Sequence, residues 1–416
     1  MVKVGESIAM NTEELTSVST LNFIDAVIST YEFPARVLLH DTTLRDGEQH
    51  ATVLFDKDDK IAIATMLDEM GVHRIEAGMP AVSPEDRSAM LEITKRVQQA
   101  QVFALARSRK DDIDQAVQAG VHGVCIEMVV NDVLAAEVFN WDREEALAML
   151  LEASAYAKSQ GVYVTVFMID STRARVGWLL EFVRRVAAEG HVDSFAVVDT
   201  TGSCSPEAIR WLVGQVRGVW SGSLEIHAHN DFGFGAANTL AALAAGVQTA
   251  HVCVNGLGER VGNAPLEQVA TSLKYLYGQS PGIDLSMLRR VCVEVERRSG
   301  VRRADNQPIS GNNIYKIQSG IGAYYWSKVW AENPELFYAL HPGVVGHDDP
   351  MILLGKLSGS ANIQYWADKL SLDLHAEDVP SVVERVKTIS TAEKRLVAPE
   401  ELGDIVHAVS ERHVPQ

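Results

Sequence analysis

From Ala35 to about Gln279 short β-branched runs alternate with longer amphipathic stretches, most of them opened by Asp, Ser or Pro and closed near Gly. That rhythm is the mark of repeated strand–helix units. The spacing predicts strands over Arg36–Asp41, His73–Ala77, Val102–Ala106, Gly123–Val129, Tyr163–Ile169, Ser194–Asp199, Leu224–Ala228 and Ala250–Asn255. The stretches between them carry helix signals: Asp56–Met70 ends at Gly71, Ser83–Val97 begins Ser-Pro-Glu-Asp, and Ser205–Val216 begins Ser-Pro-Glu. Eight such units predict an α/β fold, a closed parallel (β/α)8 barrel of the TIM type. An open, doubly wound sheet fits less well. No glycine-rich dinucleotide turn follows the first strand, and polar residues cluster after many strands rather than at one switch point.

The pattern changes outside this stretch. Residues 1–34 read as a helical extension, Thr12–Tyr31, docked outside a barrel of residues 35–281. Residues 282–416 read as a mostly helical lid subdomain. A helix-like stretch to Ser299 leads into a Gly-, Asn- and Tyr-rich segment, Asn306–Trp326, then a Pro/His/Gly-rich loop, Pro334–Pro350, and two terminal helices. Long polar loops in a compact enzyme are often functional.

With 416 residues, 47% apolar and 22% charged, the chain can bury one large core and still supply a smaller region. No stretch approaches the roughly 20 apolar residues of a membrane span, and the N-terminus lacks the layout of a secretory signal. A cytoplasmic protein with no membrane partner is expected. The formal charge of −18 argues against a nucleic-acid partner, which needs clustered cations. Cys125, Cys204, Cys253 and Cys292 are widely spaced and read as buried free thiols.

Chemistry concentrates at three strand ends. The first strand runs into His40-Asp41-Thr42-Thr43-Leu44-Arg45-Asp46-Gly47-Glu48-Gln49, which a barrel places at its active-site rim. The seventh ends in His227-Ala228-His229-Asn230-Asp231, where the period of two puts both imidazoles on one side. After the eighth comes the glycine-rich Asn255-Gly256-Leu257-Gly258-Glu259-Arg260-Val261-Gly262-Asn263. Strands one, seven and eight are neighbours once a barrel closes, so a carboxylate, two histidines and an amide converge. Such mixed oxygen and nitrogen ligation suits Mg2+, Mn2+ or a catalytic Zn2+.

These segments, with Ile75-Glu76-Ala77-Gly78 and Asp199-Thr200-Thr201-Gly202, resemble the DRE-TIM metallolyases, in particular their 2-isopropylmalate, homocitrate and citramalate synthase branch. The resemblance runs in order across the whole barrel. It continues more loosely through Ser319-Gly320-Ile321 and Leu354-Gly355-Lys356-Leu357-Ser358-Gly359. It implies that Asp46, His227 and His229 hold the metal with Asn263 as a fourth or more distant ligand. It further implies that Arg45 faces the reacting oxygens and that Gln49 and Thr200 contact or position substrate, with Glu76 at the end of the second strand. Asp41 would orient a neighbour by hydrogen bonding. A metal chelated by the carboxylate and keto oxygen of a 2-oxo acid acts as a Lewis acid, and a fixed guanidinium stabilises the developing oxyanion.

Two departures bear on substrate and base. The glutamate usual after strand five is Ile169 here, and where homocitrate synthases hold a distal carboxylate with arginine this chain offers Thr165, which disfavours 2-oxoglutarate. The histidine of the lid pattern Ser-Gly-Ile-His is Gly322. A general base is therefore sought among His50, Tyr324, Tyr325, His341 and His347, with His50 and Tyr324 put forward as catalytic. The expected activity is condensation of an acyl-CoA with a 2-oxo acid on a nonstandard substrate. The alternative is a metal-dependent carbon–carbon lyase working without CoA. The resemblance also implies a homodimer.

Overall fold

In the computed structural model, which describes residues 17–411, eight parallel strands pair in chain order and close on themselves. They are β1 (Leu38–Asp41), β2 (Arg74–Glu76), β3 (Gln101–Arg107), β4 (Gly123–Val129), β5 (Tyr163–Ile169), β6 (Ser194–Asp199), β7 (Ser223–Ala228) and β8 (Thr249–Val252). The expected barrel is thus the observed one. Its ends differ slightly from the sequence pattern. β8 stops at Val252 because Cys253 donates its N–H to Ala264, and Asn255 then takes a left-handed conformation with φ of 60°.

Alternation along the strands separates two environments. Positions such as Leu39, Ile75, Val102, Val124, Val164, Phe195, Leu224 and Ala250 are fully buried and apolar, as strands covered by helices require. Each buried aliphatic of this kind contributes on the order of 1.5–3 kcal/mol. The alternate positions His40, Arg74, Glu76, Thr165, Ser194, Glu225, His227 and His251 are equally buried but polar. Register sets them level with one another: His40 pairs with both Arg74 and His251, and Ala196 with Glu225. The barrel therefore has an apolar jacket and an interior that carries charged groups on β1, β2, β7 and β8 and an apolar wall from β3 to β6.

The helices start where their caps predict. Asp56 and Asp59 form a reciprocal capping box at Lys57–Met70, and Gly71 ends that helix with φ of 91°. Ser83 and Ser205 accept the N–H three residues on, each before a proline in the first turn. The continuous helix expected over Thr12–Tyr31 is not what the described part shows, residues 12–16 lying outside the described residues. Only a 3-10 turn, Thr20–Phe23, and a single helical turn, Asp25–Ile28, are present, separated by the extended Ile24. Ser19 accepts the N–H of Leu21, the local bond by which serine competes with helix propagation.

The chain divides into two compact units, the described residues 19–303 and residues 304–411 together with 17–18. The second unit holds a short parallel pair, Lys316–Ile317 with Met351–Ile352. Its helices are Gly320–Val329, Ser360–Lys369, Val379–Glu393 and Glu401–Ser410. Leu354, Ile363, Val382, Val386 and Leu402 form its own buried core. Among the described residues no helix is long and apolar enough to cross a membrane.

Candidate active site

The turn after β1 is built by Asp41. Its carboxylate accepts the N–H and the hydroxyl of Thr43 at 2.9 and 3.1 Å, and the Thr43 hydroxyl accepts the N–H of Val254 at 2.9 Å. Burial pushes the Asp41 carboxyl up to about 7. Asp41 thus fastens the β1 turn to the segment after β8, and the next residues fold over the barrel mouth.

Asp46 lands there against the end of β7. Its Oδ2 is 3.0 Å from His227 Nε2 and 3.6 Å from His229 Nε2, and the two ring nitrogens are 3.3 Å apart. Oδ1 accepts the N–H of Glu259 at 2.9 Å, bringing in the loop after β8. Asn263 pairs with His229 through a backbone β-bridge, and its Nδ2 donates to Leu257 O at 3.2 Å while its Oδ1 is buried without a partner. Two glycines make this approach possible. A Cβ on Gly258 would lie 2.2 Å from Asn263 Nδ2, and one on Gly262, where φ is 93°, would lie 1.8 Å from Gly256 O.

The electrostatics suit a cation. Burial alone would raise the Asp46 carboxyl, but Arg45 and the two imidazoles outweigh it and hold that carboxyl well below the usual carboxylate range. Burial, before all else, keeps His227 neutral with a pKa of about 3, and lowers His229 as well. One ionised carboxylate, two neutral imidazoles with convergent nitrogens and an orphaned amide oxygen fit a divalent ion. Buried polar atoms without partners are costly unless something else satisfies them.

Arg45 stands beside this set and is 7% exposed. One guanidinium nitrogen lies 3.1 Å from Asp46 Oδ2 and 3.3 Å from Gln49 Oε1, the other 3.1 Å from Glu76 Oε2, and the group rests over the Phe167 ring at 5.2 Å. Gln49 and Glu76 are thereby brought to the cluster. Thr200 accepts the N–H of Asp170 at 2.8 Å, and its carbonyl accepts from Arg260, which also pairs with Asp231 at 2.9 Å. Thr165 lies deeper, donating to Glu225 at 3.1 Å. His50 accepts the N–H of Thr52 at 3.4 Å. Tyr324 belongs to the second unit, where it is 52% exposed.

Beneath the cluster lies a network that the motifs did not indicate. Glu225 accepts from Arg74 at 2.9 Å, Ser194 at 2.7 Å and His251 at 2.7 Å; His251 in turn stacks on His40 with ring centroids 4.3 Å apart. Extending the period of two one step back from His227 reaches Glu225, and that was the available signal.

A sequence-family profile described as HMGL-like matches residues 36–295. This chain belongs to that family. It is 33% identical to the homocitrate synthase AksA of Methanothermobacter thermautotrophicus, over 86% of this chain and 90% of that one. The probable 2-isopropylmalate synthase of Ignicoccus hospitalis is 35% identical over 91% and 93%, and the putative (R)-citramalate synthase CimA of Methanopyrus kandleri 35% over 87% and 70%. Among solved structures, the HMG-CoA lyase of Bacillus subtilis superposes with a TM-score of 0.58 at 19% identity, covering 64% of this chain and 95% of its own. At that identity the likeness speaks to fold alone.

Proposed function

We propose that this HMGL-like protein condenses an acyl-CoA with a 2-oxo acid, joining the acyl α-carbon to the keto carbon and hydrolysing the thioester to release CoA and a 2-hydroxy-2-carboxyalkyl acid. One observation carries the proposal: Asp46, His227, His229 and Asn263 meet beside Arg45 at the rim of a barrel whose relatives are named as such synthases.

Mg2+, Mn2+ or Zn2+ held by those four residues would supply Lewis acidity to the acceptor's carbonyl. Arg45 is clamped between Asp46 and Glu76, so its guanidinium already occupies its working position and stabilises the developing oxyanion without reorganising. Gln49 and Thr200 border the same mouth and orient the acceptor's carboxylate. The deeper wall of Leu105, Phe167, Ala196 and Val198 is apolar and favours an acceptor without a second carboxylate. For removal of the acyl donor's α-proton we nominate His50 and Tyr324, tested by His50→Gln and Tyr324→Phe. We also expect a homodimer, on the resemblance alone; sedimentation of the purified protein tests it.

The deciding experiment mixes purified protein, Mg2+ or Mn2+, acetyl-CoA and a panel of 2-oxo acids, and follows free thiol. Thiol release with at least one acceptor is expected. Silence across the panel, with cleavage of a hydroxy acid in the absence of CoA, would give the place to a lyase instead.

A further inference from the structure

Glu127 differs from the other carboxylates of the barrel interior. It lies on β4, level with Arg107 of β3 and Phe167 of β5, two positions beyond Cys125. Cys125 packs inside the barrel against Phe103 and Phe167, so the period of two places Glu127 on the same face, one layer nearer the rim. Its carboxylate is mostly buried, which raises its pKa, and it feels the charges of Arg45 and Glu76 as well as Arg107 and Asp112.

Every other acid in its surroundings has a partner. Asp46 has Arg45 and the imidazoles, Glu76 has Arg45, Glu225 has Arg74, and Asp112 has Arg107 at 2.7 Å. Among the described residues no hydrogen bond or ion pair reaches the Glu127 carboxylate; its side-chain neighbour Ser108 donates instead to the backbone carbonyl, at 2.9 Å. A largely buried carboxylate that no protein donor reaches keeps its acceptor capacity for a ligand that enters the mouth.

Strand order says which part of a ligand arrives there. In the closed ring β3, β4 and β5 stand opposite β7, β8 and β1. The second trio carries His227, His229, Asn263, Arg45 and Asp46, the groups that take an acceptor's carboxylate and keto oxygen. The acceptor's tail must cross the mouth toward Leu105, Glu127, Phe167 and Ile169.

We propose that Glu127 selects the acceptor by accepting a hydrogen bond from a donor group, hydroxyl or cationic, on the tail of the 2-oxo acid. This rests on the condensation proposed above. A site built to bond a donor discriminates far more sharply against the analogue lacking it than an apolar pocket discriminates between alkyl groups. The same carboxylate repels a dicarboxylic acceptor, so the acceptor of this chain differs from a 2-oxo diacid.

The test compares 4-hydroxy-2-oxobutanoate and 5-guanidino-2-oxopentanoate with the alkyl acceptor 2-oxopentanoate and with 2-oxoglutarate. Two readouts are taken: thiol release from acetyl-CoA, and calorimetric binding to the Mn2+-loaded protein without acetyl-CoA. Wild type should favour at least one donor-tailed acceptor over 2-oxopentanoate by tenfold or more in binding and in kcat/KM, with 2-oxoglutarate weakest. Glu127→Leu should bring that ratio to one or below, whereas the isosteric Glu127→Gln should spare the hydroxyl acceptor more than the guanidino one. Equal wild-type binding of alkyl and donor-tailed acceptors overturns the assignment, and needs no variant to fold. A binding preference without any thiol release overturns the condensation and leaves Glu127 standing; thiol release with a ratio indifferent to Glu127→Leu does the reverse.

Discussion

Replacing Arg74 with methionine isolates the energetics of the charged barrel interior. Arg74 is 5% exposed and Glu225 fully buried, with 2.9 Å between Nη1 and Oε1. The guanidinium also lies over the rings of Phe103 and Tyr163, at 4.7 and 4.6 Å. Methionine keeps much of the stem's packing and removes the cation. On a surface such a pair is worth about 0–1 kcal/mol. Removing one partner of a buried pair costs about 3–5 kcal/mol, because the other charge stays desolvated. Glu225 retains Ser194, Thr165 and His251 as donors, which places Arg74→Met at the low end, about 3 kcal/mol. That is a large share of a net stability of about 5–15 kcal/mol.

The pH dependence has a definite sign. Burial alone would raise the Glu225 carboxyl, but the His251 bond and the Arg74 charge outweigh it and hold the group well below the ordinary carboxylate value. Its ionisation therefore stabilises the fold above the unfolded pKa of about 4.3, and this contribution is lost as pH falls through the folded value. Without Arg74 the folded value rises toward the unfolded one, leaving the variant less to lose in acid, so its deficit should hold from pH 8 to pH 5 and narrow only below about pH 4.3. The assay is urea unfolding of wild type, Arg74→Met, Glu225→Gln and the double variant, followed through hydrogen exchange of barrel peptides so that the second unit does not contribute. The double variant should lose at least about 1 kcal/mol less than the sum of the singles, the sign of direct coupling. A loss below about 1 kcal/mol for Arg74→Met, or strict additivity, would show that Arg74 and Glu225 are not coupled as a buried pair.

Three further outcomes follow from other parts of the barrel. Asp46→Asn should weaken Mn2+ binding more than tenfold, since even outer-shell losses cost about 10–100-fold; the free Mn2+ signal in electron paramagnetic resonance measures it, and an unchanged affinity removes Asp46 from the ligand set. Gly262→Ala, at φ of 93° and with Gly256 O 1.8 Å from the added carbon, should displace Asn263 and lower Mn2+ affinity about tenfold, while Gly161→Ala, where nothing lies within 4 Å, should leave it unchanged. His73 accepts the Leu39 N–H at 3.0 Å and has a pKa of about 4, lowered by burial and then by Arg36 and Arg74. The unfolded chain takes up that proton first, so stability should fall as pH drops from about 6.5 toward 4, and His73→Gln should flatten this part of the curve of melting temperature against pH.

The barrel was legible because its outward-facing strand positions are apolar and its helix starts are chemically marked. Leu39, Ile75, Val124 and Val164 carry the strand signal, and Asp56, Ser83 and Ser205 cap the helices that follow. The His227-x-His229 half of the site was legible for the same reason, since a period of two needs no knowledge of tertiary structure. Partners were not. Glu225 and Arg74 are 151 residues apart, and nothing local says that a glutamate in Leu224-Glu225-Ile226 will be neutralised across the barrel by the first residue of β2. His50 adjoins the motif in sequence, and its bond to Thr52 after the 3-10 turn Gly47–Gln49 is a local partner of which the motif gives no sign.

Closure of the ring also decides what each charge is free to do. Glu225 is saturated by four donors, whereas Arg45, paired with Asp46 and Glu76, still has Nε and Nη2 without a hydrogen-bond acceptor. Those Arg45 nitrogens and the orphaned Asn263 oxygen lie on one side of the mouth, and the Glu127 carboxylate, which no described side chain bonds, lies on the other. A molecule satisfying both sides must present oxygens at one end and a hydrogen-bond donor at the other. On the condensation and the Glu127 role proposed above, that polarity, rather than the identity of any single motif, is the constraint on the acceptor.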